Sequence, residues 1–212
     1  MSDRFRDNYR IPSARARWWD YSQRGIYFIT ICTEGMECWL GEIASNEMHL
    51  SDFGKIATEF WMEIPNHFPF VKLHAYAIMP NHVHGIIEIL HNAPVETLHA
   101  TSLHASMGKF EEITRKISTE TLHATSLQKP PATSPTKNRK MSTISPCKGS
   151  LGSIVRSYKS AVSKQVHKLH PHFGWQERFY DNIIKNTEAY HRIEVYIHNN
   201  VRNWEKDCLY KK

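Results

Sequence analysis

Apolar stretches alternate with short polar breaks along this chain, and the period of the apolar positions changes from segment to segment. Gly25 to Thr33 (Gly-Ile-Tyr-Phe-Ile-Thr-Ile-Cys-Thr) is rich in β-branched and aromatic residues and predicts a central strand. Residues 38–50 predict a hairpin, Trp39 to Ile43 returning through Ser45-Asn46 to Met48, His49 and Leu50. The period then becomes helical. Phe53, Ile56, Ala57, Phe60, Trp61 and Ile64 repeat behind a Ser51 N-cap until Pro65 stops them. Residues 71–78 alternate as a strand and lead through the turn Met79-Pro80-Asn81 into Val83, Ile86, Ile87 and Ile89, which predicts an antiparallel pair. Leu151, Ile154, Val155, Tyr158, Ala161, Val162, Val166 and Leu169 make a long amphipathic stripe. Trp175 to Tyr180 reads as an aromatic connection that packs the next helix. That helix runs from about Glu188 to Asn200, capped by Asn186 or Thr187, with Tyr190, Ile193 and Ile197 as its buried stripe.

Residues 91–148 break this grammar. Glu96-Thr97-Leu98-His99-Ala100-Thr101-Ser102-Leu103 recurs at Glu120 to Leu127, amid Lys, Ser, Thr and Pro. Two copies are too few for a solenoid, so the segment reads as a low-complexity insertion. Its histidines (His91, His99, His104, His123) are not read as a metal site, because a low-complexity tract preorganises nothing.

At 212 residues with 41% hydrophobic content, the chain has enough apolar material for one ordinary domain. A net charge of +6 favours anionic partners, nucleic acid first. Residues 1–25 sharpen that expectation. They join Arg4, Arg6, Arg10, Arg15, Arg17 and Arg24 to Tyr9, Trp18, Trp19 and Tyr21, residue types that pair with phosphate and stack on bases. The helix over 151–169 carries Arg156, Lys159, Lys164 and Lys168 opposite its apolar stripe, either a solvated face or a phosphate track. No apolar run approaches the roughly 20 residues of a membrane span, and the N-terminus is too charged for a signal peptide. Cys32, Cys38, Cys147 and Cys208 lack metal-site spacing. They are expected as packing residues of a reduced, cytoplasmic protein.

The chemistry centres on His82-Val83-His84. Side chains alternate along a strand, so both imidazoles emerge on one face, which is half of a metal site. Glu88 falls on the same face as a spare oxygen ligand or supporting partner. On the last helix Tyr196 and Asn200 lie four apart and share a face. Asparagine offers a metal a carbonyl oxygen, and tyrosine offers a nucleophile able to hold a phosphodiester. Tyr158 and Tyr180 are rival nucleophiles; Tyr158 lies on an apolar stripe, and the phase of Tyr180 is open.

His82-Val83-His84 resembles the HUH motif, and Tyr196 followed by Asn200 resembles the tyrosine motif of single-tyrosine HUH transposases. Six stretches in order resemble the REP-associated tyrosine branch: Asp20 to Gln23, Tyr27 to Thr33, Met79 to Ile87, Ser153 to Val162, Trp175 to Tyr180 and Tyr196 to Asn200. The resemblance implies an α+β fold, a ferredoxin-like antiparallel sheet with helices on one face. It implies a basic arm over 1–25 and a single transposase domain over 26–212 that carries the insertion at about 91–148. It implies a divalent ion, Mg²⁺ or Mn²⁺, on His82, His84 and Asn200, with Tyr196 as the catalytic nucleophile. The partner is single-stranded or hairpin DNA, cut and rejoined through a 5′-phosphotyrosine, with Arg15, Arg17, Arg24, Arg156, Lys159 and Arg178 expected on the DNA. A monomer or a homodimer fits, in the cytoplasm at the nucleoid. A non-catalytic nucleic-acid binding module on the same fold is the alternative.

Overall fold

In the computed structural model the residues described are 16, 18–90 and 146–210, together with two short paired strands, Arg4–Phe5 and Asn8–Tyr9. Arg6, Arg10, Arg15, Arg17 and the whole repeat-bearing stretch 91–145 lie outside them. β1 (Gly25–Cys32) is the central strand expected from its composition. It is followed by the hairpin β2 (Gly41–Ala44) and β3 (Glu47–Leu50), then by α1 (Asp52–Met62). The Ser51 hydroxyl accepts the Gly54 N–H at 3.1 Å, so the predicted cap is present. Pro65 does not end this helix. It opens a separate turn, α2 (Ile64–His67), where a residue without an N–H loses nothing.

β4 (Val71–Ile78) and β5 (His82–Ile89) form the expected antiparallel pair, closed by the Met79 N–H donating to the His82 carbonyl at 2.8 Å. The alternation read along 71–78 does not run through. The register slips between Leu73 and Tyr76, so His74 and Ala75 together face the one residue Ile86 across the ladder. α3 (Leu151–Val166) follows, ending before Leu169, which is exposed. The aromatic connection gives way to a strand that the sequence reading missed, β6 (Tyr180–Ile184), paired with β1. Five residues on a sheet edge carry too short a pattern to separate from a loop. α4 (Thr187–Asn199) closes the order; Asn186 caps it by accepting the Ala189 N–H at 2.8 Å.

The sheet order is β4-β5-β1-β6, all antiparallel. With α1 between β1 and β4 and α3 between β5 and β6, this is the βαββαβ order of a ferredoxin-like α+β fold. Tyr27, Ile29, Ile31, Val83 and Ile87 face one side and pack with Trp61 of α1 and Ile154, Tyr158 and Val162 of α3. Gly85 makes this closeness possible: a Cβ there would sit 2.2 Å from the Trp61 ring. The expectation that helices share one face holds for α1 and α3. α4 crosses to the other face, where Phe28, Ile86 and Ile184 need a cover and Ile197 supplies it. Cys32 is buried, but Cys38, Cys147 and Cys208 are exposed, all in connections rather than core strands, so only the first is a packing residue. Among the described residues, no helix is long and apolar enough to cross a membrane.

Candidate active site

The site lies on the α4 face of the sheet. In register, Thr30 of β1 pairs with His84 of β5 on one side and with Tyr180 of β6 on the other, and Cys32 pairs with His82. His82 and His84 are buried with ring centroids 4.4 Å apart, because alternation returns both to the same face two residues apart.

Each ring is held by its Nδ1. Asn81 spends both amide hydrogens on carbonyls, Met36 at 3.2 Å and Leu209 at 2.9 Å. Its oxygen therefore faces His82 Nδ1 at 2.8 Å, which must carry the proton and donate it. That leaves His82 Nε2 as a bare lone pair, buried and without a hydrogen-bond partner. His84 Nδ1 lies 2.9 Å from Thr30 Oγ1, and its Nε2 faces the Tyr196 hydroxyl at 3.2 Å. Orienting a ligand histidine through its second nitrogen is how metal sites fix a ring.

Tyr196 reaches this point from α4, its ring edge-on to Phe28 at 6.1 Å and 44% exposed. Asp207, just past the 3₁₀ turn Val201–Lys206, completes the cluster. Its Oδ1 accepts the Leu209 N–H at 2.8 Å, and its Oδ2 accepts from the Tyr196 hydroxyl at 3.5 Å. Ligand atoms of His82, His84 and Asp207 all lie within 4.8 Å of one another, a group able to hold a metal ion. Asn200 is also buried here, its amide beside the Tyr196 hydroxyl. An open groove of about 590 Å³ runs along the outside, lined by Arg192, Asn199, Asn203, Lys206 and Cys208 together with Tyr196 and Asp207.

Burial pushes the His82 ring down to about 2, helped by its neighbour His84. It pushes His84 down to about 4, against the pull of Asp207. Both imidazoles are thus neutral near pH 7, each with one bare ring nitrogen, which at His82 is Nε2. Burial raises the Tyr196 phenol to about 12, with Asp207 adding to the rise and the neighbouring Asn200 amide opposing it. The Tyr196 phenol thus keeps its proton near pH 7, with a carboxylate oxygen and an imidazole nitrogen within reach of it.

The other sequence candidates fall in different places. Glu88 is not part of the cluster: four residues beyond His84 on an extended strand is roughly 13 Å, and its carboxylate binds His74 instead. Tyr158 is sealed in the core, donating to the Ala57 carbonyl at 3.1 Å, and burial raises its phenol strongly. Tyr180 is half exposed and its ring meets Phe28 at 6.3 Å. Arg178 precedes β6 at the end of the sheet that carries the site. Arg24 precedes β1 at the other end, six extended residues or roughly 20 Å from Thr30. Arg156 and Lys159 ride on α3, which packs on the opposite face, and the Lys159 ammonium is tied to the Gln176 carbonyl.

Sequence reading missed Asp207 and the supporting roles of Asn81 and Thr30. Asp207 sits outside any periodic segment, and its place is set by a 3₁₀ turn that no hydrophobic pattern announces. Asn81 was legible only as turn chemistry.

No protein-family model matches the chain. A protein of Haemophilus influenzae (strain ATCC 51907 / DSM 11121 / KW20 / Rd), described as uncharacterized, is 34% identical over 199 residues, which cover 93% of this chain and 92% of that protein. The chain belongs to the same family as that protein. Among solved structures it is similar to a REP-associated tyrosine transposase bound to a REP hairpin, at 15% identity over 91% of this chain and 74% of that one, with a TM-score of 0.48.

Proposed function

We propose that the chain is a metal-dependent transesterase of the single-tyrosine HUH class, nicking and rejoining single-stranded DNA beside a hairpin through a 5′-phosphotyrosine. The observation that carries this reading is the Tyr196 hydroxyl at 3.2 Å from His84 Nε2, inside the cluster of His82, His84 and Asp207. The donor set fits a divalent cation: one buried bare imidazole nitrogen, a second imidazole, a carboxylate, and a buried asparagine amide. His82 and His84 with Asn200 or Asp207 are the residues that would hold it. Mixed nitrogen and oxygen donors suit manganese better than magnesium. When bound, the ion supplies Lewis-acid polarisation of the scissile phosphate and charge stabilisation for the departing 3′-oxygen.

The remaining work falls to side chains. Tyr196 Oη forms a bond to phosphorus as the bond from phosphorus to the 3′-oxygen breaks. The phenol proton passes to Asp207 Oδ2, which faces it, and the departing oxygen takes a proton from water. The 5′-phosphate stays esterified to Tyr196, so a later attack by a 3′-hydroxyl restores the phosphodiester without ATP. Tyr196 serves the histidines of its own chain in this arrangement. Arg192 and Lys206, which line the groove, are assigned to backbone phosphates together with Arg178, and Arg15 and Arg17 of the arm to the hairpin.

Labelled hairpin DNA with a single-stranded flank, incubated with Mn²⁺ and run on a denaturing gel, tests this. A protein–DNA adduct is expected, abolished by chelator and by Tyr196→Phe. Cleavage without an adduct that survives Tyr196→Phe would replace the reading with hydrolysis by water. Binding without cleavage would leave a binding module.

A further inference from the structure

A second polar cluster sits on the site face of the sheet, under the first half of α4. His74 Nε2 lies 2.8 Å from Glu88 Oε2, and His74 Nδ1 lies 3.1 Å from the Tyr190 hydroxyl. The Tyr190 hydroxyl is also 3.3 Å from Glu194 Oε1, and Glu194 Oε2 meets His191 at 3.3 Å. His74 and Glu88 are both largely buried, with 15% and 18% of their side chains exposed.

Three features say that this is more than a surface contact. The first is the bulge in β4, which puts both His74 and Ala75 on the α4 face where regular alternation allows one. Bulges re-aim side chains, and this one aims an imidazole at the helix that carries Tyr196. The second is continuity. Glu88 Oε2 faces His74 Nε2, His74 Nδ1 faces the Tyr190 hydroxyl, and the Tyr190 O–H donates to Glu194 Oε1, so one chain of polar contacts runs from β5 through β4 to α4. The third is the weak apolar footing of α4, where Ile197 alone is fully buried.

We infer that Glu88, His74 and Tyr190 form a polar tether that sets the seating of α4 and thereby positions the Tyr196 hydroxyl at the metal-type cluster. This rests on the proposed role of Tyr196 as nucleophile. Tyr190 precedes Tyr196 by six residues, roughly 9 Å along the helix axis, so a small tilt at Tyr190 displaces the hydroxyl at the other end. Displacements of about 1 Å at a reacting atom cost large factors in rate. The tether acts on Tyr196 through the helix rather than on a reacting atom, so these are positioning residues.

Tyr190→Phe tests it, since the ring and its packing stay and only the hydroxyl goes. At saturating DNA the adduct should form about three- to tenfold more slowly, the loss of one or two ordinary hydrogen bonds. The DNA concentration for half-maximal rate should stay within about twofold, because binding is untouched. His74→Gln should have a similar effect, and the double variant should lose no more than the worse single one. Hydrogen–deuterium exchange over residues 193–199 should rise in Tyr190→Phe, a readout that needs no catalysis. Wild-type rate with unchanged exchange in Tyr190→Phe overturns the tether. An adduct that persists in Tyr196→Phe and vanishes in Tyr190→Phe overturns it too, making Tyr190 the nucleophile with His74 as its base. If the wild-type chain forms no adduct, the proposed function fails, and exchange alone then decides whether the tether holds the helix.

Discussion

The two faces of the sheet are built on opposite terms. Under α1 and α3, Tyr27, Ile29, Ile31, Val83 and Ile87 interleave with Trp61, Ile154, Tyr158 and Val162, a continuous apolar layer. Under α4 the buried apolar set shrinks to Phe28, Ile86, Ile184 and Ile197. The rest of that face holds Thr30, His82, His84 and Asn200, buried and polar. Burial of polar groups costs free energy unless they are paired, so this face contributes less to stability per buried residue than the apolar one. One face is a continuous apolar layer, and the other buries polar groups beside a small apolar cluster.

The sharpest way to break this contrast is to remove one chemical group from each face. Tyr196→Phe should abolish the adduct outright while leaving the urea midpoint nearly unchanged, since the hydroxyl is part-exposed and its bonds are long. His82→Ala should likewise abolish metal-dependent activity, and equilibrium dialysis should show divalent binding lost. Trp61→Ala belongs to the other face. It empties the space against Gly85, Tyr76 and Tyr158 and should cost about 3–5 kcal/mol by urea unfolding. An activity loss in Trp61→Ala larger than its loss of folded fraction would blur the division between the faces.

The same division governs what the sequence disclosed. The apolar face is rich in β-branched and aromatic residues and in helical repeats, so β1 and β5 follow from composition, α1 and α3 from helical spacing, and Gly85 falls where Trp61 needs it. His82, Val83 and His84 were legible because a period of two places both rings on one face. Tyr196 and Asn200 followed from a period of 3.6. Asp207 did not, because a 3₁₀ turn has no pattern to carry it. The bulge at His74 was hidden by Ala75 and Ala77, whose small side chains mimic strict alternation. The tether it builds from Glu88 therefore read as a spare ligand for the neighbouring site.

Acid separates the faces without mutation. In the metal-free protein the folded state holds His82 and His84 below the usual imidazole range, at about 2 and about 4. The unfolded chain takes up protons at both as pH falls through about 6.5, and the folded state does not. Stability is therefore full above pH 6.5 and declines as the medium is acidified. By pH 5 the loss approaches about 2 kcal/mol per ring, or 1.36 kcal/mol for each pH unit. Urea midpoints measured in chelator from pH 7.5 to 5 check this. The His82→Ala, His84→Ala double variant should lack most of the slope, and a slope that survives it would move the cause elsewhere.

The smallest effect is expected from Thr30→Val. Thr30 Oγ1 meets His84 Nδ1 at 2.9 Å, in the middle of the central strand and under α4. Valine keeps the β-branched shape that β1 favours, so one hydrogen bond is lost against a gain in apolar burial, and stability should shift by less than about 1 kcal/mol. The ring itself loses the partner that fixes its rotation. Supporting partners of ligand histidines are worth about 10–100-fold in metal affinity, and this single neutral bond should fall near the lower end. Calorimetric titration with Mn²⁺ against the wild-type chain measures it. Unchanged affinity would mean that Tyr196 and the packing of Phe28, 5.3 Å from the His84 ring, orient the imidazole alone. The polar row would then depend on the small apolar cluster beside it, and the two halves of that face would act as one unit.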